Sequence, residues 1–391
     1  MLQGAEAYLT RRRSFDELYP TLESYERYNP VGKGVRSSEF GYQTEAGKEK
    51  RIRQGMPGFS LLDYAYRDAS YTANRTLEGG RSGMNREFYS WSPLGRARKP
   101  EAVPRWDASP EEASRVVTKA ARFYGAVSVG FAEVDRRWFY SHTRDGKEFV
   151  FEDVEEGYVT DEKAVVPNSH RWVIAMTVPM DYEETLYTPT AMVGTGGLAY
   201  SRMHVLAGTV AEFIRGLGWH AIPSGNDMTL NVPVALQAGL GHAGRMNRLI
   251  TWERGPLVKI CKVFTDMPLE LSPPAPEGIL EYCEVCKKCA RHCPSGSIGE
   301  GPRSYEAPEG ANPGYLRWWC DEGKCREYWD EVGTSCTICF RVCAFSKPPG
   351  VLHDAVKWCI RNVPQLNRFW VWSDDLLGYG GMKDPGGYWN E

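Results

Sequence analysis

The cysteines of this chain fall in one segment and in two regular patterns. All eleven lie between Cys261 and Cys359 of the 391 residues. Eight of them form two motifs, Cys283-x2-Cys286-x2-Cys289-x3-Cys293 and Cys325-x10-Cys336-x2-Cys339-x3-Cys343. Thiolates spaced in this way ligate cubane iron–sulfur clusters. The motifs therefore predict two 4Fe–4S clusters and a protein that transfers single electrons.

The last cysteine of each motif is expected to ligate the cluster of the other motif, because it lies too far round the next helical turn to close the same cube. One predicted ligand set comprises Cys283, Cys286, Cys289 and Cys343. The other comprises Cys293, Cys336, Cys339 and one upstream thiol. For that last position we favour Cys325, with Cys320 as the competitor.

Zinc binding and disulfide formation are the alternatives for so many cysteines. Zinc would require two separate Cys-x2-Cys pairs. Disulfides would not be concentrated in tandem triplets with Pro294 directly after the fourth thiol. The remaining cysteines, Cys261 and Cys359, have apolar neighbours in the sequence and are predicted to be ordinary buried thiols.

Charge and hydropathy restrict the partners and the location. The net charge of −3 gives no indication of a polyanionic partner. No run of 18 apolar residues occurs, so we expect no transmembrane helix. Arg11-Arg12-Arg13 is weakly similar to a twin-arginine export signal, but Asp16 and Glu17 follow where an apolar stretch is required, which favours a solvated basic turn. The protein is expected at the outer face of the cytoplasmic membrane if an export signal has been removed, and in the cytoplasm otherwise.

Changes in composition divide the chain into four parts. Residues 1–108, rich in Gly, Arg, Tyr and Ser, are predicted to be an irregular N-terminal wrap with short helices. Residues 109–271 carry helix and strand patterns. A linker with Pro273, Pro274 and Pro276 leads into the cysteine-rich module at 272–360, and residues 361–391 form a tail expected to pack on the core.

Two helix–glycine–strand units indicate the fold of residues 109–271. The first helix begins at the N-cap Ser109 with Pro110 behind it, and its predicted apolar positions are Ala113, Val116, Val117, Ala120 and Phe123. A strand is predicted at 126–131. The second helix has an apolar stripe at Leu206, Val210, Phe213, Ile214 and Leu217, ends at Gly218 and precedes a strand-like segment at 219–222. With a fully buried strand predicted at 172–178, this pattern fits an α/β sandwich.

A glycine-rich turn follows an apolar helix at residues 233–245. The glycines Gly239, Gly241 and Gly244 formally match G-x-G-x-x-G, but they follow a helix rather than the strand that dinucleotide binding requires. Glycines here permit either tight turns with positive φ or close approach of the backbone to a large flat ligand.

Three segments resemble the reductive dehalogenases. GLGHAGRMNRLITWERGPLVKICKVFTDMPL (239–269) resembles the corrinoid-binding stretch of that family, and NPGYLRWW (312–319) and KCREYWDEVGTSCTICFRVC (324–343) resemble its second cluster region. The resemblance extends over residues 120–380. One departure is Ala344, which stands where a proline often follows the last cysteine.

The resemblance implies the fold and the cofactors. It implies an α/β (α+β) architecture, with a nitroreductase-like core that binds base-off cobalamin and a module with two 4Fe–4S clusters that is similar to bacterial ferredoxins. It assigns the corrinoid contacts to Gly239, Gly241, His242, Gly244, Arg245, Leu249, Ile250 and Thr251. None of the seven histidines has Asp two residues before it, so the Asp-x-His-x-x-Gly signature of a histidine ligand to cobalt is absent.

The resemblance also implies a catalytic set of one Tyr, one Asn and one basic residue. By motif and spacing these correspond to Tyr200, Asn226 and Lys259. Reductive removal of halide consumes two electrons and one proton. A tyrosine, with a pKa of about 10, is a poor acid unless a nearby cation stabilises its phenolate, and Lys259 would supply that cation. Asn226 would orient the substrate or the tyrosine.

The implied function is reductive dehalogenation of a small organohalide, with an external low-potential electron donor and a small membrane-anchor subunit as further candidate partners. Two alternatives stay open. Epoxyqueuosine reductases have the same cofactors but act on tRNA, which demands a basic surface, and their proton donor is an Asp. An electron carrier of the ferredoxin type would not need the α/β portion. We expect no nucleic-acid partner, and the oligomeric state stays open.

Overall fold

The protein is described by a computed structural model for residues 12–31, 41–77, 91–92, 97–309 and 311–390. The helices are α1 Phe15–Leu18, α2 Glu45–Arg53, α3 Leu61–Ser70, α4 Thr72–Leu77, α5 Pro110–Phe123, α6 Tyr182–Thr185, α7 Thr195–Gly216, α8 Asn231–Gln237, α9 Ile279–Cys286, α10 Lys288–Arg291, α11 Glu322–Val332, α12 Ile338–Arg341, α13 Val351–Asn362 and α14 Asn367–Leu376. The strands are β1 Ser128–Glu133, β2 Glu148–Glu152, β3 Tyr158–Val159, β4 Lys163–Pro167, β5 Trp172–Pro179, β6 Ala221–Ser224, β7 His242–Ala243, β8 Leu249–Ile250 and β9 Val258–Thr265. Within these ranges no helix has the length and hydropathy of a membrane span.

A four-stranded antiparallel sheet, ordered β1-β5-β9-β6, lies at the centre of the α/β fold. The long helix α7 packs on one face of it. On that face Met176, Cys261 and Val263 belong to one buried apolar cluster, while Ile260 and Phe264 belong to a second cluster on the other face. Because both faces are covered, β5 and β9 are almost entirely buried, as their continuous apolar runs require.

The predicted helix–glycine–strand units are present with small shifts in their bounds. Ser109 caps α5 by accepting a hydrogen bond from the Glu112 backbone N–H, as the sequence predicted. The apolar face of this helix was predicted wrongly at one position, since Phe123 is 86% exposed. The buried side chains are Ala113, Ser114, Val117 and Ala121.

Strand β9, which lies between β5 and β6, was not predicted from the sequence. Lys259 and Lys262 interrupt its apolar pattern and conceal it. The prediction for Cys359 was also wrong, because this thiol is half-buried, whereas Cys261 is fully buried in β9.

The first residues of the segment at 12–31 contact the segment that leads into the cysteine-rich part. Arg11 lies outside the described residues. Arg12 donates to the Pro274 carbonyl at 3.1 Å, and Arg13 forms ion pairs with Glu277 at 2.7 Å and Glu281 at 3.2 Å. These basic residues therefore contact the protein's own acidic linker.

A buried ionic cluster attaches the C-terminal helix α14 to the cysteine-rich part. The Asp374 carboxylate contacts the ammonium groups of Lys288, at 2.5 Å, and Lys347. The side chains of Lys288, Lys347 and Asp374 are all less than a tenth exposed. Their charges are thus balanced largely by one another, because solvent does not reach them.

Replacing Asp374 should destabilise the protein strongly. Asp374→Asn leaves two buried ammonium groups without their shared carboxylate, and we expect the free energy of unfolding to fall by about 3–5 kcal/mol. Asp375→Asn is the matched control, because its side chain is 42% exposed and such pairs contribute about 0–1 kcal/mol. Chemical denaturation measures both, and equal losses in the two variants would contradict the prediction.

Candidate active site

The first predicted ligand set surrounds one small interior space. Its lining includes all four predicted thiols, Cys283, Cys286, Cys289 and Cys343. Burial, together with the neighbouring Cys286 thiol, raises the pKa of the Cys343 thiol to about 12. Thiols with raised pKa values are held in the thiolate form only by a cationic group among them. Four thiols around one space are the donor set that a cubane requires.

The second predicted ligand set lines a cavity of 530 Å³. All four of its thiols contribute to the lining, namely Cys293, Cys325, Cys336 and Cys339. Cys320 lines it as well and is hydrogen-bonded to Cys325. Burial, together with the neighbouring Cys325 thiol, raises the pKa of the Cys336 thiol to about 12. Among the described residues no three His, Cys, Asp or Glu side chains converge closely enough for a single ion, whereas a cubane needs its thiols spread around several irons.

Tyr200 and Lys259, far apart in sequence, are in contact. Tyr200 lies in the second turn of α7, and Lys259 is the second residue of β9. The Lys259 Nζ lies 4.6 Å from the centroid of the Tyr200 ring, within the range of a cation–π interaction. Tyr71 stacks on the same ring, with centroids 6.3 Å apart. The ammonium and the neighbouring ring thereby restrict the orientation of the Tyr200 side chain.

A second large cavity of 510 Å³ lies beside these two residues and is also lined by Asn226. The structure therefore brings the three predicted catalytic residues to one cavity. Four asparagines and four arginines supply much of its polar lining, namely Asn226, Asn231, Asn247, Asn312, Arg144, Arg248, Arg317 and Arg326. Its apolar lining includes Leu230, Val232, Leu249 and Ile260.

Four side chains line both this cavity and the one that contains the second thiol set: Tyr200, Arg248, Lys259 and Phe340. A single layer of side chains thus lies between the two cavities. Arg248 forms an ion pair with Glu322 at 2.6 Å, and the Glu322 carboxylate raises the pKa of the guanidinium. Arg248 is thus one half of an ion pair, and Lys259 is the second basic side chain of this layer.

Asn226 is held in a hydrogen-bond network. Its backbone carbonyl accepts from the Tyr140 hydroxyl at 3.3 Å, and its Oδ1 accepts from Asn231 Nδ2. Burial raises the pKa of Tyr140, so this hydroxyl stays protonated and acts as a donor. The next residue, Asp227, is buried and accepts from the Ser224 hydroxyl at 2.9 Å.

The glycines of the glycine-rich turn have a packing role. A Cβ atom on Gly239 would lie 2.2 Å from the Pro273 carbonyl oxygen, and one on Gly241 would lie 2.1 Å from the Ile250 carbonyl oxygen. A Cβ on Gly244 would meet the Ile250 side chain at 2.2 Å. These glycines therefore allow the backbone to approach the linker and the strand β8 closely. A contact between this turn and a corrin ring stays a prediction.

His242, Arg245 and Thr251 also make contacts within the protein. His242 lies between the Tyr19 hydroxyl, at 3.3 Å from Nδ1, and the Pro276 carbonyl, at 3.0 Å from Nε2. Thr251 contacts the Gly255 carbonyl. Of the eight residues that the resemblance implied, Leu249 is the one that appears among the described residues lining the 510 Å³ cavity.

Arg245 is fully buried beside the first thiol set. Its guanidinium donates to the carbonyls of Cys283 at 3.1 Å, Gly299 at 3.1 Å and Gly301 at 2.7 Å. It therefore fixes the loops around that set.

Sequence reasoning missed Arg248, Phe340, Tyr140, Asn231 and Arg317 as cavity residues. Arg248 and Phe340 lie in the segments that carry the family resemblance, so position within those segments was an available signal. Arg317 lies in another such segment, and its guanidinium stacks 3.8 Å from the Trp319 ring centroid. Tyr140 and Asn231 carry no motif.

Two curated relatives match nearly the whole chain. A tetrachloroethene reductive dehalogenase of Sulfurospirillum multivorans is 36% identical over 379 residues, which cover 91% of this chain and 74% of the relative. A tetrachloroethene reductive dehalogenase of Dehalobacter restrictus is 32% identical over 440 residues, covering 96% and 79%. No family model matches. Like these relatives, the protein is an oxidoreductase. It belongs to the reductive dehalogenase family.

Solved structures share the fold. The catabolic reductive dehalogenase NpRdhA superimposes with a TM-score of 0.69 at 20% identity, covering 96% of this chain and 50% of that chain. A reductive dehalogenase structure that suggests a mechanism for B12-dependent dehalogenation gives a TM-score of 0.70 at 19% identity, covering 98% and 50%. The chain spans about half the length of these two proteins.

The packing role of the glycine-rich turn can be tested at Gly239. Gly239→Ala adds a Cβ against the Pro273 carbonyl at a φ of +71°, and we expect a loss of about 2–4 kcal/mol in unfolding free energy. The control is Gly55→Ala, with a similar φ of +65° but open space at the Cβ position. This control should lose only about 1–2 kcal/mol. Similar losses in denaturation would show that the close approach does not matter.

Proposed function

We propose that the protein removes halide from a small organohalide, with Tyr200 as the proton donor. The observation that carries the proposal is the contact between Lys259 and Tyr200 at a cavity separated by one layer of side chains from the second thiol set. The overall change replaces a carbon–halogen bond by a carbon–hydrogen bond, consumes two electrons and one proton, and releases halide.

The cofactors of this proposal are two 4Fe–4S clusters and a base-off cobalamin. Cys283, Cys286, Cys289 and Cys343 would hold one cluster, and Cys293, Cys325, Cys336 and Cys339 the other. The 510 Å³ cavity would take the corrin ring, whose peripheral amides suit its asparagine and arginine lining. When bound, these groups supply the electrons and the reducing cobalt for cleavage of the carbon–halogen bond.

The chain's own residues handle the proton and the charge. Tyr200 donates its hydroxyl proton to the carbon that loses halide, and the Lys259 ammonium stabilises the negative charge that develops on the phenolate oxygen. The same ammonium attracts the departing halide. The apolar side chains of the cavity, together with Phe340, exclude water, which strengthens both interactions.

The proposed partners are an organohalide, an external low-potential electron donor and a small membrane-anchor subunit. The curated relatives act on tetrachloroethene, which is therefore the first substrate to test. The competing proposal, an enzyme acting on tRNA, predicts binding in a gel-shift experiment, and we expect none.

Removing the Tyr200 hydroxyl should abolish most of the activity. In enzyme reconstituted anaerobically with cobalamin and iron–sulfide, Tyr200→Phe should release chloride from tetrachloroethene about 10²–10⁴-fold more slowly, because a positioned general acid contributes that much. Cofactor absorbance should be unchanged. Tyr124→Phe, at the end of α5 away from both cavities, should match the wild type, and chloride release unaffected in Tyr200→Phe would remove the proton-donor assignment.

The choice between Cys325 and Cys320 can be made by iron analysis. Cys325→Ser should retain about four of about eight irons per chain, since it deprives the second cluster of a ligand. Cys320→Ser should keep all of them, because Cys320 acts through its hydrogen bond to Cys325. The reverse pattern would make Cys320 the ligand.

A further inference from the structure

A buried lysine lies behind Asn226. Lys262, in the middle of β9, is fully buried, and its Nζ donates to the Gly225 carbonyl at 2.5 Å and to Asn231 Oδ1. Asn231 Nδ2 in turn donates to Asn226 Oδ1. Strand pairing explains the proximity, because Lys262 lies opposite Ser224 at the end of β6. A continuous chain of hydrogen bonds thus leads from a buried charge to the cavity.

The ammonium determines the direction of every bond in this chain. An ammonium group has three donors and no acceptor, so Asn231 must turn its oxygen towards Lys262 and its NH₂ group towards Asn226. Asn226 must then offer its oxygen to Asn231. The end of the Asn226 amide left for the cavity is Nδ2, which is a donor. The two orientations of an amide are nearly isosteric. Here the Lys262 ammonium, acting through Asn231, selects one orientation of the Asn226 amide.

The surroundings keep Lys262 charged at neutral pH. Burial lowers its pKa to about 8, and the Asp227 carboxylate opposes that shift. Asp227 is itself held by the Ser224 hydroxyl and by the Gly225 backbone N–H at 2.7 Å. A buried lysine with no other contact to the cavity therefore retains the charge needed to orient the asparagines.

We propose that Lys262 is a positioning residue that acts through Asn231 to present Asn226 Nδ2 as a hydrogen-bond donor to the departing halide. The proposal rests on the proposed dehalogenation. Both Lys259 and Asn226 line the cavity. Lys259 would then offer the halide a cation, and Asn226 would offer it a neutral hydrogen-bond donor. Because the negative charge develops as the carbon–halogen bond breaks, this donor should affect kcat more than KM.

Asn231→Asp tests the relay with a nearly isosteric change. The carboxylate can still accept from Lys262, but it cannot donate to Asn226, whose amide must rotate and turn its oxygen to the cavity. We expect a melting temperature no lower than that of the wild type, unchanged cofactor content, and a kcat for tetrachloroethene about 10²-fold lower, with KM within about threefold. Asn168→Asp, in the loop before β5, is the control and should leave kcat unchanged.

A double variant shows whether Asn231 acts through Asn226. In the background Asn226→Leu, the change Asn231→Asp should cause no further loss of kcat, because the group that it reorients is gone. An equal loss in both backgrounds would overturn the relay. So would a loss of kcat in Asn231→Asp that is accompanied by an equally large fall in melting temperature, since that is the signature of a merely structural role.

Stability provides a readout that does not depend on activity. In the reconstituted enzyme, the shifts of the denaturation midpoint caused by Lys262→Met and Asn226→Leu should be non-additive, and they should become additive when Asn231→Leu interrupts the chain of bonds. Coupling found in an enzyme that releases no chloride would leave the relay standing and reject the proposed function. Additive effects in an active enzyme would reject the relay alone.

Discussion

The register of strand β9 is the constraint on which the site depends. Successive side chains of a strand point to opposite faces, so Lys259 and Lys262, three positions apart, lie on opposite sides of the sheet. Lys259 meets Tyr200 from α7, and Lys262 meets Asn231 from α8. Pairing with β5 extends from Val258 to Thr265, and a shift by one residue would exchange the two faces. Sheet formation and assembly of the site are therefore the same event.

Buried charges connect the parts of the molecule that must stay in register with one another. Arg245 joins the glycine-rich turn to the loops around the first thiol set through three backbone carbonyls. Asp374 joins the C-terminal helix to Lys288, which is the neighbour of Cys289. Such groups add little net stability when fully paired but cost several kcal/mol when a partner is lost, on the order of 3–5. They therefore favour one arrangement of these segments over others.

Local features that depend on the spacing of residues could be predicted from the sequence. Features that depend on contacts between distant residues could not. The cap at Ser109 and the positive φ of Gly218, directly after the C-cap residue of α7, follow from nearest-neighbour chemistry, and the structure has both. The grouping of Cys283 with Cys343, 60 positions later, followed from the geometry of a cubane. Tyr200 and Lys259 came from family resemblance, because neither periodicity nor propensity marks a lone tyrosine among 21. The two readings of Gly239 could not be separated from sequence, because a glycine has the same signature whether a ligand or a carbonyl lies beside it.

The proposed proton and electron routes meet in the same layer of side chains. Tyr200, Lys259, Arg248 and Phe340 each line both large cavities, so a change in the size of any of them alters the separation of the two cavities. A change at Lys259 or Arg248 also alters the charge between them. Phe340 directly follows Cys339 in α12, which makes it part of the thiol-bearing loop. In the proposed mechanism, an acid in this layer would let one cation, Lys259, act on the phenolate, on the departing halide and on negative charge that arrives from the thiol side, because the Lys259 ammonium lies next to both cavities. In the proposed mechanism, the sheet that fixes Lys259 would thereby couple delivery of the electrons to delivery of the proton.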